Sequence, residues 1–261
     1  MSSINGSEIF LACSFGKVFV KSIFQNETYP TVVLLHDSLG CVTLWRDFPE
    51  KLAESMQWNV LIYDRIGYGK SDPFPEGNRG KDYMDIEAYR LSEILDLLKI
   101  NKALLFGHSD GGTISLLFAA FFPEKCLGVI TEGAHIYVDE LTLKGVSDAR
   151  ENYFKTDIRK RLEKYHGENT VPLFFAWVDT WLAPFYRDWN ISEKLAQIQC
   201  PVLALQGEHD EFGLPEQVQG IARFSGKKAS YSLLPNCGHN PHKENLEETM
   251  RATKNWISIY F

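Results

Sequence analysis

The run Ala103-Leu104-Leu105-Phe106-Gly107-His108-Ser109-Asp110-Gly111-Gly112 constrains this chain more than any other stretch. Residues 103–107 are continuously apolar, as in a strand covered on both faces, and residues 111–122 read as an apolar helix. Between them stands Gly-x-Ser-x-Gly. A strand that turns at once into a helix leaves room only for small residues beside the corner. Gly107 and Gly111 supply that room, and Gly112 lets the helix pack close. A serine at such a corner sits at a helix N-terminus, where unpaired N–H groups and the dipole favour developing negative charge. The five-residue pattern alone recurs by chance, so its weight comes from the strand before it and the helix after it. Ser109 is the candidate nucleophile.

The same alternation runs along the chain. Residues 31–37 (TVVLLHD), 59–64 (NVLIYD), 127–132 (LGVITE) and 201–207 (PVLALQG) are further buried strands. Residues 45–56, 82–98 and 244–259 carry helical spacing. Strand and helix in turn imply right-handed βαβ crossovers and an α/β class with a mostly parallel central sheet flanked by helices. One or two antiparallel strands are expected ahead of it, at 8–12 and 17–23. The alternation stops between about 134 and 198, where the sequence is helical and rich in Trp, Tyr and Phe. Residues 1–134 and 199–261 therefore read as one core, and 135–198 as an inserted helical cap.

A serine hydroxyl needs a general base, and the base needs an orienting carboxylate. In a strand–elbow–helix setting the chain order is Ser, acid, His. The strand at 201–207 leads into Glu208-His209-Asp210-Glu211, and the strand at 227–234 leads into Cys237-Gly238-His239. Asp210 is preferred to Glu208 and Glu211 as the acid. Of the seven histidines, only His239 has the right order and a glycine before it. His36 is better suited to shaping the loop after the first core strand, and His108 to the elbow. His135 and His166 lie in or near the cap, His209 precedes the acid, and His242 opens the last helix. An oxyanion hole needs two backbone N–H donors. Asp110, after the nucleophile, is one candidate; Ser38, in the loop 36–40, is the other, with Leu39 next.

Other chemistries fit poorly. Gly67-Tyr68-Gly69-Lys70-Ser71 ends like a phosphate loop, but Asp64 stands where its first glycine belongs, so a structural turn is expected. The His209/Asp210 and His239/His242 pairs lack metal-site spacing, and no metal is expected. A net charge of −7 disfavours nucleic acid as a partner. The first ten residues carry no secretory pattern, and no apolar run is long enough to span a membrane. The five cysteines are scattered and never form a CxxC pair, which suits free thiols and a cytoplasmic location.

HDSLG, DRIGYGKS, GHSDGG, GEHDE and NCGHNPH, in that order, resemble the α/β-hydrolase fold family over nearly the whole chain. The resemblance implies ester hydrolysis by Ser109, His239 and Asp210 through an acyl-enzyme, with Ser38 and Asp110 holding the oxyanion and no cofactor. The serine separates the chain from dehalogenase and epoxide hydrolase branches, whose nucleophile is aspartate. Most members have His-Gly where this chain has His36-Asp37, so Asp37 sets this oxyanion loop apart. The same residues also serve C–C bond hydrolases of meta-cleavage diketones, and slow-turnover ligand receptors share the fold. The expected substrate is a small-molecule ester, and the expected state a monomer or homodimer. Residues 150–164 hold six basic residues, among them Arg150, Arg159, Lys160 and Arg161, against three acidic ones. A solvated helix face explains this run. A docking patch for an acyl carrier protein, as in the methyl ester hydrolases of biotin synthesis, is the sharper alternative.

Overall fold

A computed structural model describes residues 5–74 and 79–261. Eight strands form one sheet: β1 (Asn5–Cys13), β2 (Gly16–Phe24), β3 (Thr31–Leu35), β4 (Asn59–Tyr63), β5 (Ala103–His108), β6 (Cys126–Glu132), β7 (Val202–Gly207) and β8 (Ala229–Leu234). Their spatial order is β1-β2-β4-β3-β5-β6-β7-β8. β1, β2 and β4 pair antiparallel, and every other neighbouring pair is parallel. The continuous apolarity of the middle strands follows from helices on both faces. α1 (Phe48–Met56) and α9 (Leu246–Tyr260) cover one face through Leu52 and Trp256. α2 (Tyr83–Leu97), α3 (Asp110–Phe121) and α7 (Glu216–Phe224) cover the other, through Leu91, Leu117 and Val218.

The chain passes from β3 outward to β4 and then returns to β5 on the other side of β3. The loops leaving β3 and β5 therefore diverge from neighbouring strand ends, and a crevice opens between them, as at other switch points of open α/β sheets. The loop 36–40 and Ser109 lie there.

Between β6 and β7 the chain forms α4 (Glu140–Lys155), α5 (Ile158–His166) and α6 (Thr170–Trp181) with short 3-10 turns. Tyr137 and Asn190 bridge the two ends of this helical insertion. Among the described residues, no helix is long and apolar enough to cross a membrane.

Three local expectations are corrected. The helix expected at 45–56 begins only at Phe48, because Arg46 takes a positive φ of 54° and Pro49 suits a first helical turn. The last helix is split at Asn245 into α8 (Pro241–Glu244) and α9; the Asn245 side chain caps α9 by accepting Glu248 N–H. No element is expected from the sequence at α7, whose buried residues are Gln217, Val218 and Ile221.

Candidate active site

Ser109 joins β5 to α3 with φ 54° and ψ −119°. A non-glycine residue holds such a conformation at a cost of about 1–3 kcal/mol, repaid by the surroundings. Here Ser109 N–H donates to Glu132 O at 2.7 Å, and Ser109 O accepts from Gly112 and Thr113 N–H at 2.9 and 3.1 Å. A Cβ on Gly107 would collide with the Gly111 carbonyl, and one on Gly111 with the Leu35 carbonyl. The glycines flanking the serine are thus required by close backbone packing.

His239 Nδ1 donates to Asp210 Oδ1 at 2.8 Å, and Phe212 N–H donates to the same oxygen at 2.9 Å. Glu211 is placed differently: its Oε2 accepts His239 N–H at 3.3 Å. Both members of the pair are buried. Burial disfavours charge on His239, but Asp210 outweighs it and raises the imidazole above its ordinary pKa. Asp210 moves the opposite way: burial would raise it, and the charge and hydrogen bond of His239 hold it below the usual carboxylate range. Gly133, with φ 56°, passes so close that a Cβ would meet His239 Cε1 at 2.8 Å. Nothing in the sequence reading singled out Gly133.

The loop after β3 is held by groups from three elements. His36 Nδ1 donates to Asp37 O at 2.8 Å, and its Nε2 accepts Arg65 N–H at 3.1 Å. Arg65 Nη2 donates to Asp37 O at 2.7 Å. From the insertion, His166 Nε2 donates to Leu39 O at 3.0 Å while its Nδ1 accepts Gly69 N–H at 2.9 Å. Each of these histidines has one donor and one acceptor contact, which fits a neutral ring; burial lowers both pKa values. The Gly67–Ser71 segment is a structural turn, with Ser71 N–H donating to Tyr68 O at 3.0 Å. The N–H groups of Ser38, Leu39 and Asp110 have no acceptor among the described residues. Asp37 Oδ1 faces His108 Nδ1 at 3.8 Å, and His108 Nε2 donates to His239 O at 2.8 Å. The residue that departs from the family pattern therefore reaches, through His108, the backbone of His239.

Ser109, His239, Ser38, Leu39 and Asp110 all border one cavity, open at its mouth. Thr142 and Val146 of α4 and Trp177 and Trp181 of α6 complete its wall, with His135 and Phe212 beside them. No Lys or Arg is among the described lining residues, while Asp37 and Asp110 are. A buried chain ties the insertion to the elbow: Trp181 Nε1 donates to Tyr83 OH and Tyr83 OH to Asp110 Oδ2, each at 3.1 Å. Arg65 Nη1 lies 4.0 Å from that carboxylate. No hydrogen bond joins Ser109 Oγ to a described residue; such catalytic contacts are often long before substrate binds. Three of the candidate patch residues pair with carboxylates, Arg150 with Asp179 of α6 at 3.4 Å, Arg159 with Glu163 at 2.8 Å and Arg161 with Asp157 at 3.2 Å, while Lys160 is in no ion pair among the described residues.

A sequence model described as alpha/beta hydrolase fold matches residues 30–190. A 2-hydroxy-6-oxononadienedioate/2-hydroxy-6-oxononatrienedioate hydrolase of Escherichia coli is 36% identical over 257 residues, covering 87% of each chain. The human serine hydrolase BPHL is 29% identical over 211 residues, 77% of this chain and 69% of its own. Among solved structures, naproxen esterase from Bacillus subtilis superposes with a TM-score of 0.75 at 20% identity, covering 98% of this chain and 92% of the other. A carboxylesterase of Nitrososphaera gargenis gives 0.79 at 19% identity, over 97% and 98%. Sequence match and fold agree, and this chain belongs to the α/β-hydrolase family.

Proposed function

We propose that the protein is a serine carboxylic-ester hydrolase acting on uncharged esters with an apolar acyl group. The observation that carries this reading is the convergence on one cavity of Ser109, the His239–Asp210 pair and the free N–H groups of the two loops. Ser109 Oγ attacks the ester carbonyl as His239 Nε2 takes its proton, and Asp210 stabilises the imidazolium. The N–H groups of Ser38 and Asp110 receive the oxyanion. Collapse expels the alkoxide, which takes the proton from His239. Water, deprotonated by His239, then releases the acid.

The cavity wall supports the substrate class. Val146, Trp177, Trp181 and Phe212 offer apolar surface, with residues 135–198 as the cap that closes the acyl site. A dicarboxylate such as the dienedioate named for the Escherichia coli relative would meet Asp37 and, among the described lining residues, no cation. Arg150, Arg159 and Arg161 each already pair with a carboxylate, which weighs against docking of an acidic carrier protein, and a free small ester is the substrate proposed.

A p-nitrophenyl ester series run beside a meta-cleavage dienone dicarboxylate tests this. Ester turnover above about 1 s⁻¹ with no dienone cleavage is expected. Faster dienone cleavage, or negligible turnover of every ester, would overturn it.

A further inference from the structure

Cys126 opens β6 and Cys200 stands just before β7, the strand paired with it. Their Sγ atoms are 3.7 Å apart, although the residues are 74 positions apart in the chain. Simple alternation would not bring them together. Val129 pairs with Val202, so a regular β6 would turn Cys126 to the face opposite Cys200. A bulge prevents this. Ala103 pairs with Cys126 and Leu104 with Gly128, leaving Leu127 as an extra residue that resets the alternation. Cys126 and Cys200 consequently share the apolar cluster that holds Val129 and Val202, while Leu127 packs into the cluster on the other face.

We propose that Cys126 and Cys200 form a reversible disulfide when the protein meets hydrogen peroxide. A disulfide needs the two sulfurs to close from 3.7 Å to about 2.05 Å across neighbouring strands. Cys200 gives up its proton, and the thiolate attacks the O–O bond, forming Sγ–OH and releasing a hydroxide that takes up that proton. The Cys126 thiol then gives up its proton and displaces that hydroxyl, forming the Sγ–Sγ bond. Each sulfur loses one electron, and the peroxide leaves as two waters. Cys200 is suited to the first step. Its hydrogen-bonded contact with Cys126 lowers its pKa against the opposing effect of burial, and Lys228 helps. Cys126 is raised, chiefly by burial. The bond would cross-link the sheet at the ends of β6 and β7 away from Ser109 and close the whole helical insertion into one covalent loop.

The full-length protein is treated with hydrogen peroxide, alkylated, digested without reductant and analysed by mass spectrometry. A peptide pair joined through Cys126 and Cys200, lighter by two hydrogens and separated by dithiothreitol, is expected. It should accompany a rise in Tm of about 5 °C, because the closed loop restricts the unfolded chain. Folded Cys200→Ala should lose both effects. A variant with Cys13, Cys41 and Cys237 all changed to Ser should keep them. Recovery of both thiols in alkylated form, conversion to sulfinic acid without cross-link, or a cross-link to another cysteine would overturn the proposal.

Discussion

His239 and His242 stand three residues apart, and each holds a buried carboxylate through Nδ1, Asp210 at 2.8 Å and Glu132 at 2.6 Å. Their surroundings differ. His239 borders the cavity, and Asp210 also accepts a peptide N–H from Phe212. His242 is packed against Trp45 and Phe48, with ring centroids 4.6 and 5.5 Å away, while the second oxygens of the two carboxylates, Glu132 Oε1 and Asp210 Oδ2, alike lack a partner among the described residues. The first pair favours charge: His239 is raised and Asp210 lowered. The second suppresses it. Burial, helped by Lys243, drives His242 down to about 3, and burial pushes Glu132 up to about 7. A histidine–carboxylate hydrogen bond thus does not by itself make a general base. Access to the reacting atoms and support for the imidazolium do.

Substitution breaks the comparison most strongly at the histidines. His239→Ala should lower kcat by roughly 10⁴ to 10⁶, with a stability cost of its own because it strands the buried Asp210. His242→Ala should spare catalysis. It strands Glu132 and opens a cavity, costing about 2–4 kcal/mol in urea unfolding, while kcat stays within about tenfold. Equal losses of kcat in the two variants would erase the distinction between the pairs.

Asp210→Asn should lower kcat by roughly 10² to 10⁴. It should also move the pH profile. The base acts when neutral, so kcat/KM rises with pH through the raised His239 pKa, with a midpoint above 6.5. Removing the Asp210 charge should shift that midpoint downward. A midpoint that stays put would assign the limb to another group.

The smallest effect concerns Glu132. Its folded pKa lies above the unfolded 4.5, so its contribution to stability is complete below that value and is lost as pH rises through about 7. Glu132→Gln should flatten this part of the stability–pH curve, by on the order of 1–3 kcal/mol between pH 4.5 and 8, and leave ester turnover little changed. An unchanged curve would place the titration elsewhere.

The middle strands were legible because each is buried on both faces and so is apolar at every position, as in Val32 to Leu35. The elbow was legible because close packing leaves no choice but glycine at 107 and 111. The choice of Asp210 over Glu211 was harder. Both approach His239, one at the ring and one at the backbone, and only the turn geometry separates them. Glu132 and His242 each close a quoted run, LGVITE and NCGHNPH, but their pairing was beyond reach, since they meet across 110 positions through tertiary contact alone. The bulge at Leu127 leaves no mark of its own in an apolar run. Arg65 and His166 stood in recognised segments, but their work on the loop 36–40 depends on tertiary contacts alone.

The central claim is that Ser109 is the nucleophile and that His239, not His242, activates it. Labelling with a fluorophosphonate probe, followed by peptide mapping, tests this most directly. The expected result is one label per chain on Ser109, none in Ser109→Ala, labelling slowed by orders of magnitude in His239→Ala, and near-normal labelling in His242→Ala. A label on any other residue, or undiminished labelling in His239→Ala, would contradict it.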